Sequence, residues 1–355
     1  MVSPKNLLLA LSILACETLW AQDAQPVRYY TEAYLYSDGV ACVKIAGIDG
    51  YCYINGNGNL LSYSTPFPGF FHDGWSVYKQ AEGRFGYFNN EGTMTVPLMY
   101  TEAHSFRNGW ARVAKDNQEF YINMHGMRIG PFKKGSIRSD FHCDRAVICT
   151  TDKKGRENWA LMNSKGARWP VQIADSCKVE RITNFEDDLA FIQYSRDGTS
   201  YVQMLTRSGE LNGEPVAVKT IGEKQSGGMV EYQPAGKSPL RGFLKHGPAF
   251  ALEASAHSWT EVSPFVSNRA KVAEKNVLGD DLVYYIDPDG KRISEYYSDG
   301  RPFNGLFAAV CRKSGWGVID RHGKEIVPCN YAFAEVSEGI ALLLSEEGFF
   351  YRPLF

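Results

Sequence analysis

One short pattern of residues is written repeatedly along this chain, and that repetition restricts the available folds more than any other property. Its clearest copy runs from Phe303 to Tyr331: Gly305-Leu306-Phe307-Ala308-Ala309-Val310, then Gly315-Trp316-Gly317-Val318-Ile319-Asp320-Arg321-His322-Gly323, then Val327-Pro328 and Tyr331. Apolar runs rich in Val and Ile flank Asp-x-x-Gly, the composition of a hairpin turn with Asp at its first position and Gly at its fourth. The corresponding glycines are Gly58, Gly92, Gly126, Gly166, Gly209, Gly247, Gly290 and Gly323, spaced 33 to 43 residues apart. Asn55, Asn89, Asn123, Asn163, Thr206, Asp287 and Asp320 stand three residues before their glycines. An apolar residue precedes almost every turn, as expected for one face of a strand directed into a core.

Upstream of each turn lies a second column, written Gly39-Val40-Ala41-Cys42-Val43, Gly109-Trp110-Ala111-Arg112-Val113 or Gly339-Ile340-Ala341-Leu342. Small and large apolar residues alternate there, the signature of a strand packed closely on a neighbour. A third run, Val96-Pro97 to Tyr100 and Val327-Pro328 to Tyr331, predicts a strand that ends at its proline or lies at an edge, because proline cannot donate a ladder hydrogen bond. The chain is therefore expected to be all-β, with about eight three-stranded antiparallel repeats over residues 38–210 and 228–355 and a lead-in at 22–37. Leu211 to Gly227 reads as an irregular insertion between them, and residues from Gly339 onward as an incomplete last copy. One such unit buries too little apolar surface to stand alone, so neighbours must stack. A propeller-like closed array leaves few free edges; an open β-solenoid is the alternative.

Gly-x-Ala-x-Val, then Gly-Trp-Gly-Val-Ile-Asp-x-x-Gly, then Val-Pro-x-x-Tyr resembles the WG-repeat family of bacterial secreted and envelope proteins. The match is strongest at Gly305–Tyr331 and good at Gly74–Phe106, and degenerate copies extend it over most of residues 38–355. Only Trp316-Gly317 is a true Trp-Gly; Phe85-Gly86 is the next nearest. The resemblance implies an all-β array and brings no shared catalytic residues.

Met1 to Ala21 reads as a signal peptide. Lys5 supplies the positive start, and the apolar run Leu7 to Ala15 is far shorter than the ~20 residues a membrane-spanning helix needs. Cleavage after Ala21 gives a mature start at Gln22. Ile13-Leu14-Ala15-Cys16 is similar to a lipobox, which makes Cys16 a candidate lipidation site and lipid anchor. The expected location is secreted, periplasmic or outer-membrane associated, with no transmembrane span in the mature chain.

Forty acidic and 38 basic residues leave a formal charge of −2, without the basic excess that nucleic acid or an anionic membrane surface requires. No phosphate-binding loop, dinucleotide fingerprint, Cys-x-x-Cys pair or metal-spaced histidines are legible, so no cofactor and no metal are expected. Asp287-Pro288-Asp289-Gly290 is half a calcium loop, but Lys291 and Arg292 follow where ligands are needed. Glu186-Asp187-Asp188 reads as a turn. Seven cysteines remain beyond Cys16 and read first as small buried hydrophobes; Cys42 and Cys52, on neighbouring strands, are the candidate disulfide. Trp75, Trp110 and Trp316 recur beside repeat glycines and form the candidate aromatic binding surface for sugars or peptides. The functional expectation is an exported, non-catalytic binding or scaffold module whose partner is a protein or glycan of the cell envelope. An exported hydrolase or carbohydrate-binding protein is the alternative.

Overall fold

The computed structural model describes residues 27–65, 69–80, 82–89, 93–246 and 250–355; the signal segment and Cys16 lie outside them. These residues form eight antiparallel sheets, each a meander with strands hydrogen-bonded in chain order. The first sheet comprises Glu32–Ala33, Val40–Lys44, Tyr51–Asn55 and Leu60–Thr65. The second runs from Phe71–His72 to Met94–Tyr100, the third from Glu102–Ala103 to Arg128–Lys133, and the fourth from Ala146–Thr151 to Arg168–Pro170. A seven-stranded fifth sheet spans Lys178–Ile182 to Phe250–Leu252. The sixth (Trp259–Val262 to Asp281–Ile286), seventh (Asp299–Gly300 to Glu325–Tyr331) and eighth (Phe333–Ser337 to Gly348–Pro353) complete the chain.

Local chemistry explains the recurring residues. In the Asx-x-x-Gly turns, the side-chain oxygen of the first residue accepts backbone N–H groups two and four positions on. Asn55, Asn123, Asp152, Asn163, Asn276, Asp287 and Asp320 all do this at 2.8–3.1 Å. The column therefore tolerates only short acceptors. The Asp287 carboxylate spends its lone pairs this way, so the half calcium loop is a turn.

The glycine of Trp-Gly has a different cause. The fourth strand bulges opposite it: Trp316 pairs with Tyr331 but Val318 with Val327, and the second sheet repeats the shift with Phe85–Tyr100 and Tyr87–Val96. A Cβ on Gly317 would lie 2.4 Å from the Val327 carbonyl oxygen, and one on Gly86 2.5 Å from that of Val96. The bulge also carries the proline, whose missing N–H costs nothing there. The prolines thus sit within Met94–Tyr100 and Glu325–Tyr331, which run on past them as the outer edge strands of their sheets instead of ending there.

Between consecutive sheets lie the apolar cores. In most sheets the strand that carries the small–large apolar pattern is buried on both faces, and its alternation sorts side chains between two interfaces. Ala111, Ala146, Ala190, Ala270, Ala308 and Ala341 belong to the cores shared with the preceding sheet. The fifth sheet is double. Its halves, joined through the 11-residue strand Leu211–Ile221, pack on one another through Phe191, Val218, Val230 and Leu244. The expected insertion at 211–227 is thus mostly strand: Gly213 takes a positive φ and kinks it, and the alternating valines continue the ladder. Folding of this sheet gives nine copies of the hairpin unit, among the described residues, within eight sheets.

The last interface closes the ring into a β-propeller. Tyr30 of the N-terminal segment and Ala41 and Ile54 of the first sheet pack with Ile340, Phe349 and Tyr351 of the eighth. Tyr30 and Phe349 exchange backbone hydrogen bonds of 2.8 and 3.0 Å, so the N-terminal segment adds an edge to the eighth sheet. Regular interfaces use a third-strand tyrosine that donates to a carbonyl of the next unit: Tyr87 to His104, Tyr121 to Ser139 and Tyr285 to Arg301. Tyr351 does the same to Tyr34 at 2.6 Å, across 317 residues. The closing interface is thus built like the others. The terminal copy is correspondingly a complete three-stranded sheet, and most other sheets gain a short fourth strand ahead of the three expected.

Candidate functional site: a cavity where the ring closes

Among the described residues, nine two-residue turns join the first and second strands of the repeats. In most, both turn residues have positive φ, as at Asp38-Gly39, Asp73-Gly74, Asn108-Gly109 and Glu338-Gly339. Such turns suit the strand twist and favour Asp-Gly and Asn-Gly. Their side chains bond forward around the ring. Asp38 accepts from Gly74 N–H at 2.7 Å, Asp73 from Gly109 at 2.8 Å, and Glu186 from Gly228 at 3.0 Å. At the seam, both Glu338 oxygens are engaged, by the Asp38 and Gly39 N–H groups at 2.7 and 2.9 Å. Glu186, read from the sequence as part of a turn, is therefore a link between units.

A cavity of about 540 Å³ opens beside these turns. It is lined from four consecutive sheets: Asn304 from the seventh, Phe333, Glu335 and Glu338 from the eighth, Tyr34 and Ser37 from the first, and Phe70 and His72 from the second. First strands and their turns converge on one cavity only at the inner edge of a ring. Phe70 is 45% exposed, and its ring meets Tyr34 edge-on at 5.6 Å. Tyr34 is braced from behind by Tyr51 at 5.9 Å, whose hydroxyl is tied to Glu32 at 2.8 Å. Phe333 packs at 6.2 Å on Phe349. Buried Tyr36 forms the floor, its hydroxyl bonded to Asn55 O and its ring 4.9 Å from Tyr351.

Polar groups in the lining divide into committed and free. Ser37 donates to the Phe71 carbonyl and lies 3.4 Å from His72 Nδ1; Ser337 donates to Tyr36 O. With its proton on a carbonyl, the Ser37 hydroxyl is not an activated nucleophile. Burial pushes the His72 imidazole below its ordinary pKa, Arg107 adds to this, and Asp38, Asp73 and Glu338 oppose it. Glu335 is half-buried in the lining and has no hydrogen-bond or ion-pair partner among the described residues.

The residues singled out in the sequence do not meet here. Trp110 is 9% exposed and belongs to the core between the third and fourth sheets, 5.6 Å from Phe141. Trp75 packs 5.5 Å from Phe106, and Trp316 lies under the Arg301 guanidinium at 5.1 Å. Trp75 and Trp110 open second strands whereas Trp316 lies in a third strand, so they are not one column and form no exposed platform. Cys42 and Cys52 sit on adjacent strands, but Cys42 is opposite Tyr53 and Cys52 opposite Val43. Their side chains point to opposite faces, into different cores, and a bridge is ruled out by geometry. All seven described cysteines are free thiols. Of the histidines before turn glycines, His125 and His322 are exposed, while His246 is half-buried against Phe191 and Gln225. No group of three metal-ligating side chains occurs among the described residues, and no described helix is long and apolar enough to cross a membrane.

Phe70, Phe333 and Glu335 carry no periodic signal. Only ring closure, which joins residues some 300 apart, assembles them. The signal that could have found the turns themselves is the dipeptides Asp38-Gly39, Asp73-Gly74 and Asn108-Gly109, which suit two-residue hairpin turns.

Comparison with known proteins agrees with the repeat reading. The WG containing repeat matches residues 85–118 and 316–343, so the chain carries WG-containing repeats. No curated protein matches the sequence. Among solved structures, Hsv2 of Kluyveromyces lactis is 12% identical, covering 67% of this chain and 86% of its own at a TM-score of 0.38. Virginiamycin B lyase of Staphylococcus aureus is 12% identical, covering 74% and 93%, with a TM-score of 0.33. AztD of Citrobacter koseri is 11% identical, covering 78% and 74%, with a TM-score of 0.35. None reaches 0.5, and no property of theirs is carried to this chain.

Proposed function

We propose that the chain is an exported, non-catalytic binding protein of the bacterial cell envelope that holds a peptide or glycan segment in the cavity at the ring closure. The observation that carries this reading is the lining itself: the exposed ring of Phe70 and the half-buried rings of Tyr34 and Phe333 beside Glu335, a carboxylate without a partner among the described residues. A volume of about 540 Å³ falls in the range of ligand pockets, and braced aromatic rings contribute contact area with little ordering cost. Export rests on Met1 to Ala21, with retention at the envelope through Cys16 in the lipidated form.

The hydrolase alternative needs two working carboxyl groups flanking the scissile bond. Glu338 has both oxygens committed to backbone N–H groups, which leaves Glu335 alone in the lining. Carbohydrate binding without turnover fits the same site, because sugars stack on aromatic faces and hydrogen-bond to carboxylates.

The test uses tagged mature protein, residues 22–355, for pull-down from envelope extract and for glycan-array screening. Phe70→Ala and Glu335→Gln serve as cavity variants. Capture that is lost in both variants supports the reading. Capture unchanged in both moves the binding surface elsewhere, and turnover of a bound glycan refutes the non-catalytic assignment.

A further inference from the structure

A second cavity, of about 260 Å³, lies between the third and fourth sheets, away from the ring closure. Its lining carries four cations, Lys133, Lys134, Arg138 and Arg168, and no carboxylate. Two are balanced from outside: Lys134 by Glu102 at 2.5 Å, and Arg138 by Glu157 at 4.0 Å. Lys133 and Arg168 have no ion-pair partner among the described residues. That local excess stands out in a chain whose formal charge is −2.

Both guanidinium groups are held by aromatic faces, Arg168 at 5.0 Å over Phe132 and Arg138 at 5.5 Å over Trp159. Stacking fixes the plane of each fork; the Arg168 N–H edges make no hydrogen bond among the described residues, while Arg138 shares its own with Glu157 and Cys149. An independent observation comes from Ser136. It lines the cavity, and its hydroxyl makes no hydrogen bond among the described residues, although its backbone N–H and carbonyl are both bonded. A hydroxyl that opens on the cavity and is uncommitted within the described chain can donate to an acceptor-rich ligand there. Thr150 and Thr151 add two more hydroxyls.

We propose that this cavity is an oxyanion site that takes a phosphate or sulfate group, free or carried on a small sugar. Arg138 and Arg168 supply planar donors, Lys133 a point charge and Ser136 a hydroxyl open to the cavity. The group is recognised by several charge-assisted hydrogen bonds at once, which a monovalent anion such as chloride cannot match. The site is independent of the cavity at the ring closure.

Isothermal titration of residues 22–355 at low ionic strength tests it, with inorganic phosphate, inorganic sulfate and glucose 6-phosphate as probes and glucose as the neutral control. Saturable binding of at least one anionic probe is expected, weakening as sodium chloride is added. Tighter binding of glucose 6-phosphate than of phosphate assigns the source to a sugar ester, and equal binding assigns it to the free anion. Loss of one charge-assisted contact is expected to weaken binding about tenfold in Lys133→Ala and in Arg168→Gln. Arg168→Gln also removes the contact with Phe132, so melting temperatures are recorded; if that variant melts early, exposed Lys133→Ala and Ser136→Ala carry the test. Absence of saturable binding for all three anions, or unchanged affinity in both of those variants, overturns the proposal.

Discussion

Replacing Gly317 by alanine isolates the reason for the motif's glycine. The ideal Cβ lies 2.4 Å from Val327 O and 2.8 Å from both Cys329 N and Pro328 C, whereas real Cβ contacts stay beyond 3.0 Å. The bulged strand must therefore retreat by at least about 0.6 Å from Gly317, and every blocking atom is backbone, so no side chain can swing aside. Val327 is fully buried and Cys329 is 5% exposed, each anchored in a different core. A retreat thus disturbs two interfaces as well as the ladder bonds beside the bulge. Overpacking of this kind costs about 1–3 kcal/mol, and one weakened ladder bond adds about 1 kcal/mol; the expected loss is about 2–4 kcal/mol. Gly86→Ala should behave alike, with Val96 O at 2.5 Å. Gly56→Ala is the control, since nothing lies within 4 Å of its Cβ position and its φ is unexceptional; it should change stability by less than about 0.5 kcal/mol. Urea unfolding followed by far-ultraviolet circular dichroism measures all three. Gly317→Ala within about 0.5 kcal/mol of wild type would show that the bulge yields freely and that the glycine has another cause.

Other perturbations probe the closure and the buried titratable groups. Tyr351→Phe leaves Tyr34 O without its donor and should cost about 1 kcal/mol, as Tyr121→Phe should at a regular interface; a seam variant without effect in the same unfolding assay would deny the equivalence of the two. Glu338→Ala strips partners from the Asp38 and Gly39 N–H groups and should speed hydrogen exchange at Tyr30 and Phe349, read by mass spectrometry against unchanged exchange in the fourth sheet. Burial holds the imidazoles of His72, His104, His142, His246 and His257 below their ordinary pKa. The unfolded chain then binds more protons than the folded one, so stability is complete above about pH 6.5 and declines as the pH falls below it. Urea midpoints that do not drop between pH 7.5 and 5.5 would contradict this assignment. Iodoacetamide at pH 8 should label exposed Cys143 first and spare Cys42 and Cys329, whose thiols burial pushes up to about 12 and about 11; seven labelled thiols are expected after unfolding without reductant.

How far the residues announced the structure depends on the distance over which each feature acts. Turns and strands were legible because their causes are local: Asp320 bonds residues two and four ahead, and Ala308 lies beside the large apolar residues of its own strand. The strand Leu211–Ile221 was misread because Gly213 and Pro215 are loop residues by composition, while the pairing that overrides them comes from Tyr201, Val202 and the strand Met229–Pro234. Cys42 and Cys52 were misjudged by one residue of register, which in a strand exchanges one face for the other. The repeat count depended on seeing the Asp-Gly and Asn-Gly turns as well as the Asx-x-x-Gly turns.

The two candidate sites show what a repeat sequence conceals. Repetition dictates what each unit shares, and the shared residues are consumed in building: the alanines fill interfaces, the turn asparagines bond their own backbone, and the tyrosines tie each unit to the next. Chemistry left over for a ligand must come from positions that break the pattern. Glu335 and Phe70 meet at the ring closure, where the eighth sheet adjoins the first; Lys133, Arg138 and Arg168 meet between the third and fourth sheets, where the fourth strand Arg128–Lys133 faces a sheet that has only three. Both places are departures from the regular repeat. An array of identical units would present one surface many times over; the departures give this ring an aromatic, acidic cavity at the closure and a cationic one between the third and fourth sheets.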